Sequence, residues 1–193
     1  MKYYSTIELP DKKEGFAIGD VISFDLNDGE HFEAMAMQPE DGGMIFCAVD
    51  CLAEEYPMMR ESGKQGDYKT SDLREILNTT ILRRFPKELV RQMVPFADGD
   101  LLRIPTEKEI FGTNEYGEDE SDDVTQWKPM KLRRNRVAFQ GHNGAWEWYW
   151  LQNRLRDVAS ATYFAVVNSY GIAYYGYASY SLGVRPAFKI KNL

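Results

Sequence analysis

Apolar runs rich in β-branched and aromatic residues, broken by polar turn formers, mark the first fifty residues. Phe16 to Leu26 contains Val21-Ile22-Ser23-Phe24, and His31 to Met37 and Gly43 to Leu52 follow with the same texture. Such β-branched and aromatic runs, bounded by turn formers, predict strands. Asn27-Asp28-Gly29 is turn chemistry that returns the chain as a hairpin, and Asp41-Gly42-Gly43 separates the next two runs. The period then changes. Leu73, Ile76, Leu77 and Ile81 fall on one helical face, and Asp72 followed by Glu75 predicts a capping box at the start, near Ser71-Asp72. A second helix is expected from Pro86 to Val94, with Pro86 suited to the first turn and Pro95 ending it. Thr106-Glu107-Lys108-Glu109 signals a short third helix, with Gly112 as its C-terminal stop. From Trp146 onward the β texture returns in Trp146 to Leu151, Thr162 to Asn168, Ile172 to Tyr177 and Val184 to Ile190.

Strands, then helices, then strands predict an α+β fold with mixed, mainly antiparallel sheets and two to three helices, in one domain over 1–193. Neither a repeat nor a βαβ alternation is present. Pairing of the N- and C-terminal strands is expected and would bring the termini together. With 193 residues the chain can bury roughly 70% of its unfolded surface, so its core needs no metal or disulfide. The net charge of −7 speaks against a nucleic-acid or anionic-membrane partner, because phosphate contacts come from clustered Lys and Arg. No apolar stretch approaches a membrane span, and no apolar leader follows a basic start. The expectation is cytoplasmic synthesis without membrane insertion, with release by lysis or in a phage particle as the way out.

Candidate chemistry is sparse. Cys47 and Cys51 lie four residues apart on one predicted strand, about 13 Å, too far for a disulfide, and no second pair or nearby His makes them a zinc site. Two buried free thiols are expected. His31 and His142 stand in unrelated sequence environments, His142 inside the turn Gly141-His142-Asn143-Gly144. No nucleophile elbow, zinc-protease, Walker or dinucleotide pattern appears. Residues 113–126 read as a loop, and six of the nine residues from Glu115 to Asp123 are acidic without the ligand spacing of a calcium loop. A solvated acidic loop is expected, with cation binding as the open alternative. Five of the nine residues from Lys128 to Arg136 are basic, and they are expected to face that loop or solvent. The expectation is no catalytic centre, no metal and no cofactor.

Aromatic residues change the picture. Eleven of 26 fall between Trp146 and Tyr180, and residues 168–181 hold five Tyr, three Ser, two Gly and one Asn. This is the composition of adaptable contact surfaces, where Tyr gives rigid area and Ser, Gly and Asn adapt their hydrogen bonds. The candidate ligand-binding face is Trp148, Asn153, Asn168, Tyr170, Tyr174, Tyr175, Tyr177 and Tyr180. The competing reading is a β-rich core end whose tyrosines pack flat with hydroxyls at the rim.

The same region carries a resemblance. Trp148-Tyr149-Trp150-Leu151, Tyr163-Phe164-Ala165-Val166-Val167, Gly171 and Gly183-Val184-Arg185-Pro186-Ala187-Phe188 resemble the closing pattern of an uncharacterised bacterial and prophage domain family. Ser71-Asp72-Leu73-Arg74 with Leu77-Asn78 is similar to its S-x-L-R-x-x-L-N helix, and Leu102 to Gly112 to its strand and short helix. The resemblance covers about 30–190. It implies a C-type lectin-like fold, in the branch shared with formylglycine-generating enzymes and with variable proteins of diversity-generating retroelements. It further implies a non-catalytic recognition domain for a protein partner, a surface receptor or a phage structural protein, with Leu151, Phe164, Val166 and Arg185 as fixed scaffold. The family's W-L-R-S element reads Trp150-Leu151-Gln152-Asn153 here, and Gln38-Pro39-Glu40-Asp41 lies too early to be the sugar-binding motif of true lectins. Cys47 and Cys51 lie in the wrong half for the formylglycine-generating chemistry. Two other functions stay open, a cytoplasmic structural or regulatory domain and an unrecognised hydrolase. No heptad chooses between monomer and oligomer.

Overall fold

The computed structural model describes residues 3–5, 15–156 and 162–191. In chain order they form strands β1 (Tyr3–Ser5), β2 (Val21–Asp25), β3 (His31–Glu40), β4 (Gly43–Ala48) and β5 (Tyr56–Pro57). Helices α1 (Asp72–Ile76), α2 (Lys87–Val90) and α3 (Glu107–Phe111) come next. The second half supplies β6 (Ala138–Phe139), β7 (Trp146–Glu147), β8 (Tyr149–Arg154), β9 (Tyr163–Val167), β10 (Ala173–Tyr177), β11 (Ser181–Leu182) and β12 (Ala187–Lys191). The fold is α+β, with mostly antiparallel sheets and three short helices, as the sequence pattern predicts. None of the described helices is long and apolar enough to cross a membrane.

Burial of β4 organises the layers. All six of its residues are buried, so both faces of the strand are covered. Met44, Phe46 and Ala48 enter one core with Leu73, Ile76, Leu77 and Ile81, while Ile45 and Cys47 enter another with Ile110, Trp127 and Met130. The five-stranded sheet β1-β2-β3-β4-β12 therefore has a core on each side. The three-stranded sheet β10-β9-β8 divides its residues the same way. Trp150, Phe164 and Val166 join the first core, and Tyr149, Leu151, Ala165 and Val167 the second. Strand alternation thus feeds both cores from β3, β4 and β9.

The first and last strands share the five-stranded sheet without being partners. β1 runs parallel to β2 at one edge, and β12 lies antiparallel to β4 at the other. The closing strand thus pairs with an opening strand, as the sequence suggests, but that strand is β4 and not the first one, β1. A strand covered on both faces needs backbone partners on both edges. β12 suits β4 because Phe188 and Ile190 stand opposite Phe46 and Met44.

Two of the helices differ from their patterns. Ser71, not Asp72, caps α1: its Oγ accepts from the Arg74 N–H at 3.1 Å, while the Asp72 carboxylate accepts from the Arg60 N–H. The predicted apolar face is buried throughout, but the backbone passes into a π turn over Leu77–Ile81. Asn78 Nδ2 and Thr79 Oγ1 donate to the carbonyls four residues back, Arg74 and Glu75, and compete with the regular ladder there. α2 ends at Val90 because tertiary pairing captures the residues beyond it: Val94 N–H donates to the Lys189 carbonyl and Lys191 N–H to that of Gln92. α3 forms as its sequence dictates, with the Thr106–Glu109 capping box and Gly112 at φ +82°.

Arg185, 1% exposed, joins these parts. Its Nε donates to the Ala48 carbonyl at 3.0 Å, and Nη1 donates to the Tyr149 hydroxyl at 3.0 Å and the Asn135 carbonyl at 3.2 Å. Arg185→Met keeps the length but leaves the Ala48 and Asn135 carbonyls short of a donor. Chemical denaturation should show a loss of about 2–4 kcal/mol, the scale of two orphaned buried acceptors.

Candidate functional site

Asn168 makes the turn that presents the tyrosines. Its Oδ1 accepts from the Tyr170 N–H at 2.9 Å and the Ile172 N–H at 3.2 Å, and Gly171 lies in the same turn at φ +68°. A Cβ at Gly171 would also stand 3.0 Å from the Arg133 carbonyl, so glycine is required there twice over. Tyr170 is left at the tip, 65% exposed. Beyond the turn, β10 pairs only with β9 among the described strands and carries Tyr174 and Tyr175 exposed on the sheet edge.

Ring contacts knit this edge into one aromatic surface. Trp148 meets Tyr174 edge-on at 5.5 Å, and Tyr174 stacks on Tyr175 at 4.9 Å. Tyr163 touches Tyr175 at 5.9 Å and Tyr177 at 4.6 Å, and Tyr177 reaches Tyr180 at 6.0 Å. Tyr116 packs against both Tyr174 and Tyr175. Edge-to-face and offset pairs of this kind hold rings in place without burying them. The hydroxyls of Tyr170, Tyr174, Tyr175, Tyr177 and Tyr180 have no hydrogen-bond partner among the described residues. Core tyrosines behave differently: the Tyr68 hydroxyl accepts from Ile104 N–H, and the Tyr149 hydroxyl donates to the Arg136 carbonyl.

The structure therefore brings together Trp148, Tyr174, Tyr175, Tyr177 and Tyr180, leaves Tyr170 at the turn tip with no ring contact to them among the described residues, and separates the two asparagines from them in role. Asn168 spends its side-chain oxygen on the turn. Asn153 is buried, with Oδ1 accepting from Glu107 N–H at 2.7 Å and Nδ2 donating to Glu120 Oε2 at 2.9 Å. It is a fastener rather than a contact residue. Tyr116 and Tyr163 belong to the aromatic network but carry no signal of it in the sequence. Tyr116 sits inside an acidic run, and Tyr163 begins a strand whose pattern is set by its apolar residues.

The acidic run is solvent-exposed at Glu115, Glu118, Asp119, Asp122 and Asp123, as its composition suggests, but it is also fastened to the fold. Buried Glu107 accepts from the Tyr116 and Gly117 N–H groups, and Glu120 accepts from Lys108 N–H and Asn114 Nδ2. Glu118 pairs with Arg154, and Asp119 with Arg156 at 2.8 Å. The loop is tied to β8 and its neighbour, which is how Tyr116 arrives over β10. No described ion pair joins it to Lys128–Arg136. Among the described residues no group of three or more His, Cys, Asp or Glu is placed to hold a metal ion.

The histidines are not scattered. The hairpin β2–β3 and the turn at Gly141 place the rings of His31 and His142 4.6 Å apart. His31 Nδ1 lies 3.0 Å from Asp25 Oδ1 and Nε2 lies 3.3 Å from Ser23 Oγ. The order hydroxyl, imidazole, carboxylate is that of a nucleophilic triad. The recess beside it, between His31, Glu33, Asp50 and His142, is only about 10 Å³, too small for a substrate. Cys47 and Cys51 are buried and free, and burial pushes the Cys47 thiol up to about 11, so it is protonated and inert at neutral pH.

Glu147 underlies the Trp148 end of the surface, its Oε1 accepting from the Trp148 N–H at 2.7 Å. Burial, with a hydrogen bond to Glu55, pushes its carboxyl from 4.5 up to about 7. A folded pKa above the unfolded one stabilises the protein fully below pH 4.5 and stops doing so as pH rises through about 7. Thermal stability should fall across this window, and Glu147→Gln should flatten that part of the profile; an unchanged profile would remove Glu147 from the account. No protein-family model matches the chain, and no curated protein or solved structure is significantly similar to it.

Proposed function

We propose that this chain is a non-catalytic recognition domain that binds a protein partner through its tyrosine surface. The observation that supports this most is the set of exposed tyrosines whose hydroxyls have no partner among the described residues, on an edge strand held by a rigid scaffold. Tyrosine offers a large, stiff contact area with a polar tip, and immobilising it costs little entropy. The competing reading, tyrosines that merely finish a core, expects the hydroxyls to be satisfied internally, as at Tyr68 and Tyr149.

The finer reading adds a C-type lectin-like fold and a diversified variable protein of prophage type. What supports the fold is the closing strand returning to the opening sheet and the separate three-stranded sheet that carries the candidate surface. Support for diversification is the resemblance of the C-terminal motifs and the clustering of Tyr and Ser where such proteins vary. The test is the neighbouring DNA. A reverse transcriptase gene beside a partial copy of the 3′ end of this gene, differing at adenines, is expected. Differences should fall at Tyr170, Tyr174, Tyr175 and Tyr180 and spare Asn153 and Asn168, which hold the scaffold. A locus with neither feature would end the diversification reading.

Stability measurements test the plain binding reading. Tyr170→Ala and Tyr180→Ala should each change unfolding free energy by about 0.5 kcal/mol or less, as exposed sites do. Tyr149→Ala should cost about 3–5 kcal/mol, as large buried aromatics do. Comparable losses at all three positions would show that the tyrosines complete a core.

A further inference from the structure

Among the described residues five arginines face carboxylates: Arg74, Arg84, Arg103, Arg154 and Arg156. Arg133 and Arg136 have no acidic partner among the described residues, although the chain carries 30 Asp and Glu. Both line an open pocket of about 290 Å³. Phe111 and Tyr116 form an aromatic wall of this pocket, and Ile172 an apolar one. The Arg136 guanidinium lies over the Phe111 ring, 5.2 Å from its centre, and its Nε is sealed from solvent without a hydrogen-bond partner. Burial, reinforced by the like charge of Arg133, lowers the Arg136 pKa. Arg133 spends only its Nε, which donates to the Tyr170 carbonyl at 2.7 Å. Glu115 also lines the pocket, but its carboxylate accepts from Thr113 Oγ1 and forms no ion pair with either arginine.

The two cations line one open recess and repel each other, and the Arg136 Nε is sealed without a partner, so an anion between them relieves both the repulsion and the missing bond. Guanidinium forks match a carboxylate in geometry as well as charge. The pocket is continuous with the tyrosine surface, since Tyr116 is a wall of one and packs on Tyr174 and Tyr175 in the other. A net charge of −7 opposes the approach of a polyanion such as nucleic acid, and 290 Å³ suits one acidic group better than an extended cofactor. We propose that Arg133 and Arg136 form an anion subsite of the recognition surface, which captures an Asp or Glu side chain of the protein partner next to an aromatic or apolar anchor. This rests on the recognition reading of the tyrosine surface.

The test monitors arginine Nε–H signals by NMR in the full chain labelled with ¹⁵N-arginine. The probes are acetate, inorganic phosphate, and the blocked dipeptides acetyl-Phe-Glu-amide and acetyl-Phe-Gln-amide, with chloride as the matched-ionic-strength control. The Arg136 signal should shift saturably with acetate, and with the Glu dipeptide about tenfold more tightly, a gain of roughly 1.4 kcal/mol from the added anchor. The Gln dipeptide should leave it in place. Arg136→Gln and, independently, Arg133→Gln should weaken the response, and Arg136→Lys should not restore it, because the fork is lost. A response equal to that of chloride, or none, overturns the subsite. Tighter binding of phosphate or acetate than of the Glu dipeptide overturns the partner assignment in favour of a free small anion. Tyr174→Ala must leave the acetate response intact, so failure of the tyrosine surface and failure of the pocket are separately visible.

Discussion

A single buried guanidinium fixes how the two sheets meet. Arg185 bonds the end of β4 through Ala48, reaches Tyr149 at the start of β8, and takes the Asn135 carbonyl from the basic segment. Its charge lies over the Tyr149 ring, 4.8 Å from the centre. Its described hydrogen bonds go to two carbonyls and a phenol, which with the ring face take the place of water. Lysine could not do this, since three acceptors in different directions need the planar, five-donor fork. Because a buried charge is so costly when misplaced, each of the three elements is held where the donors point.

The residues around Arg185 make the rest of the joint possible. A Cβ on Gly183 would fall 2.5 Å from Glu147 Cγ, 2.6 Å from Cys51 Sγ and 2.9 Å from the Trp148 carbonyl. Only glycine lets the chain cross β8 closely enough for the Trp150 and Gly183 amides to bond across it. Val184 is fully buried in the first core, and the Pro186 carbonyl receives the Ala48 N–H before β12 begins. The terminal motif Gly183-Val184-Arg185-Pro186-Ala187 is therefore a sheet-to-sheet crossing, with a physical task for each residue.

What was legible in the sequence is what local chemistry decides. The Thr106–Glu109 capping box and the Gly112 stop depend on neighbours along the chain and formed as read. Strands formed in the runs that hold β4, β8, β9 and β12 with shifted ends: Trp146 to Leu151 divides into β7 and β8, and β12 begins at Ala187 rather than Val184. Long-range partners decided the rest. Ser71 caps α1 because Asp72 is drawn to Arg60 and Lys64, sequence-distant groups that no helical pattern reports. The acidic loop is exposed as read, but its fastening was not legible because Arg154 and Arg156 lie on the far side of a long stretch of chain. His31 and His142 looked unrelated for the same reason. Composition located the aromatic surface but could not tell a contact asparagine from a structural one, since both are polar residues near tyrosines.

That distinction comes from where each polar group is satisfied. Asn153 ties Glu107 and Glu120 into the network that carries Tyr116 across to β10, and Asn168 sets the turn that lifts Tyr170 clear of the sheet. Replacing either would cost the scaffold hydrogen bonds it has no other way to make. Tyr116 meets Tyr174 and Tyr175 by ring contacts and Tyr170 stands exposed at the turn, so any one of these could change without unmaking the fold. Structure and contact are thus assigned to different side chains within the same thirty residues or so of β8 to β10. On the proposed recognition reading, the exposed tyrosines are the positions free to change while the Arg185 joint stays constant.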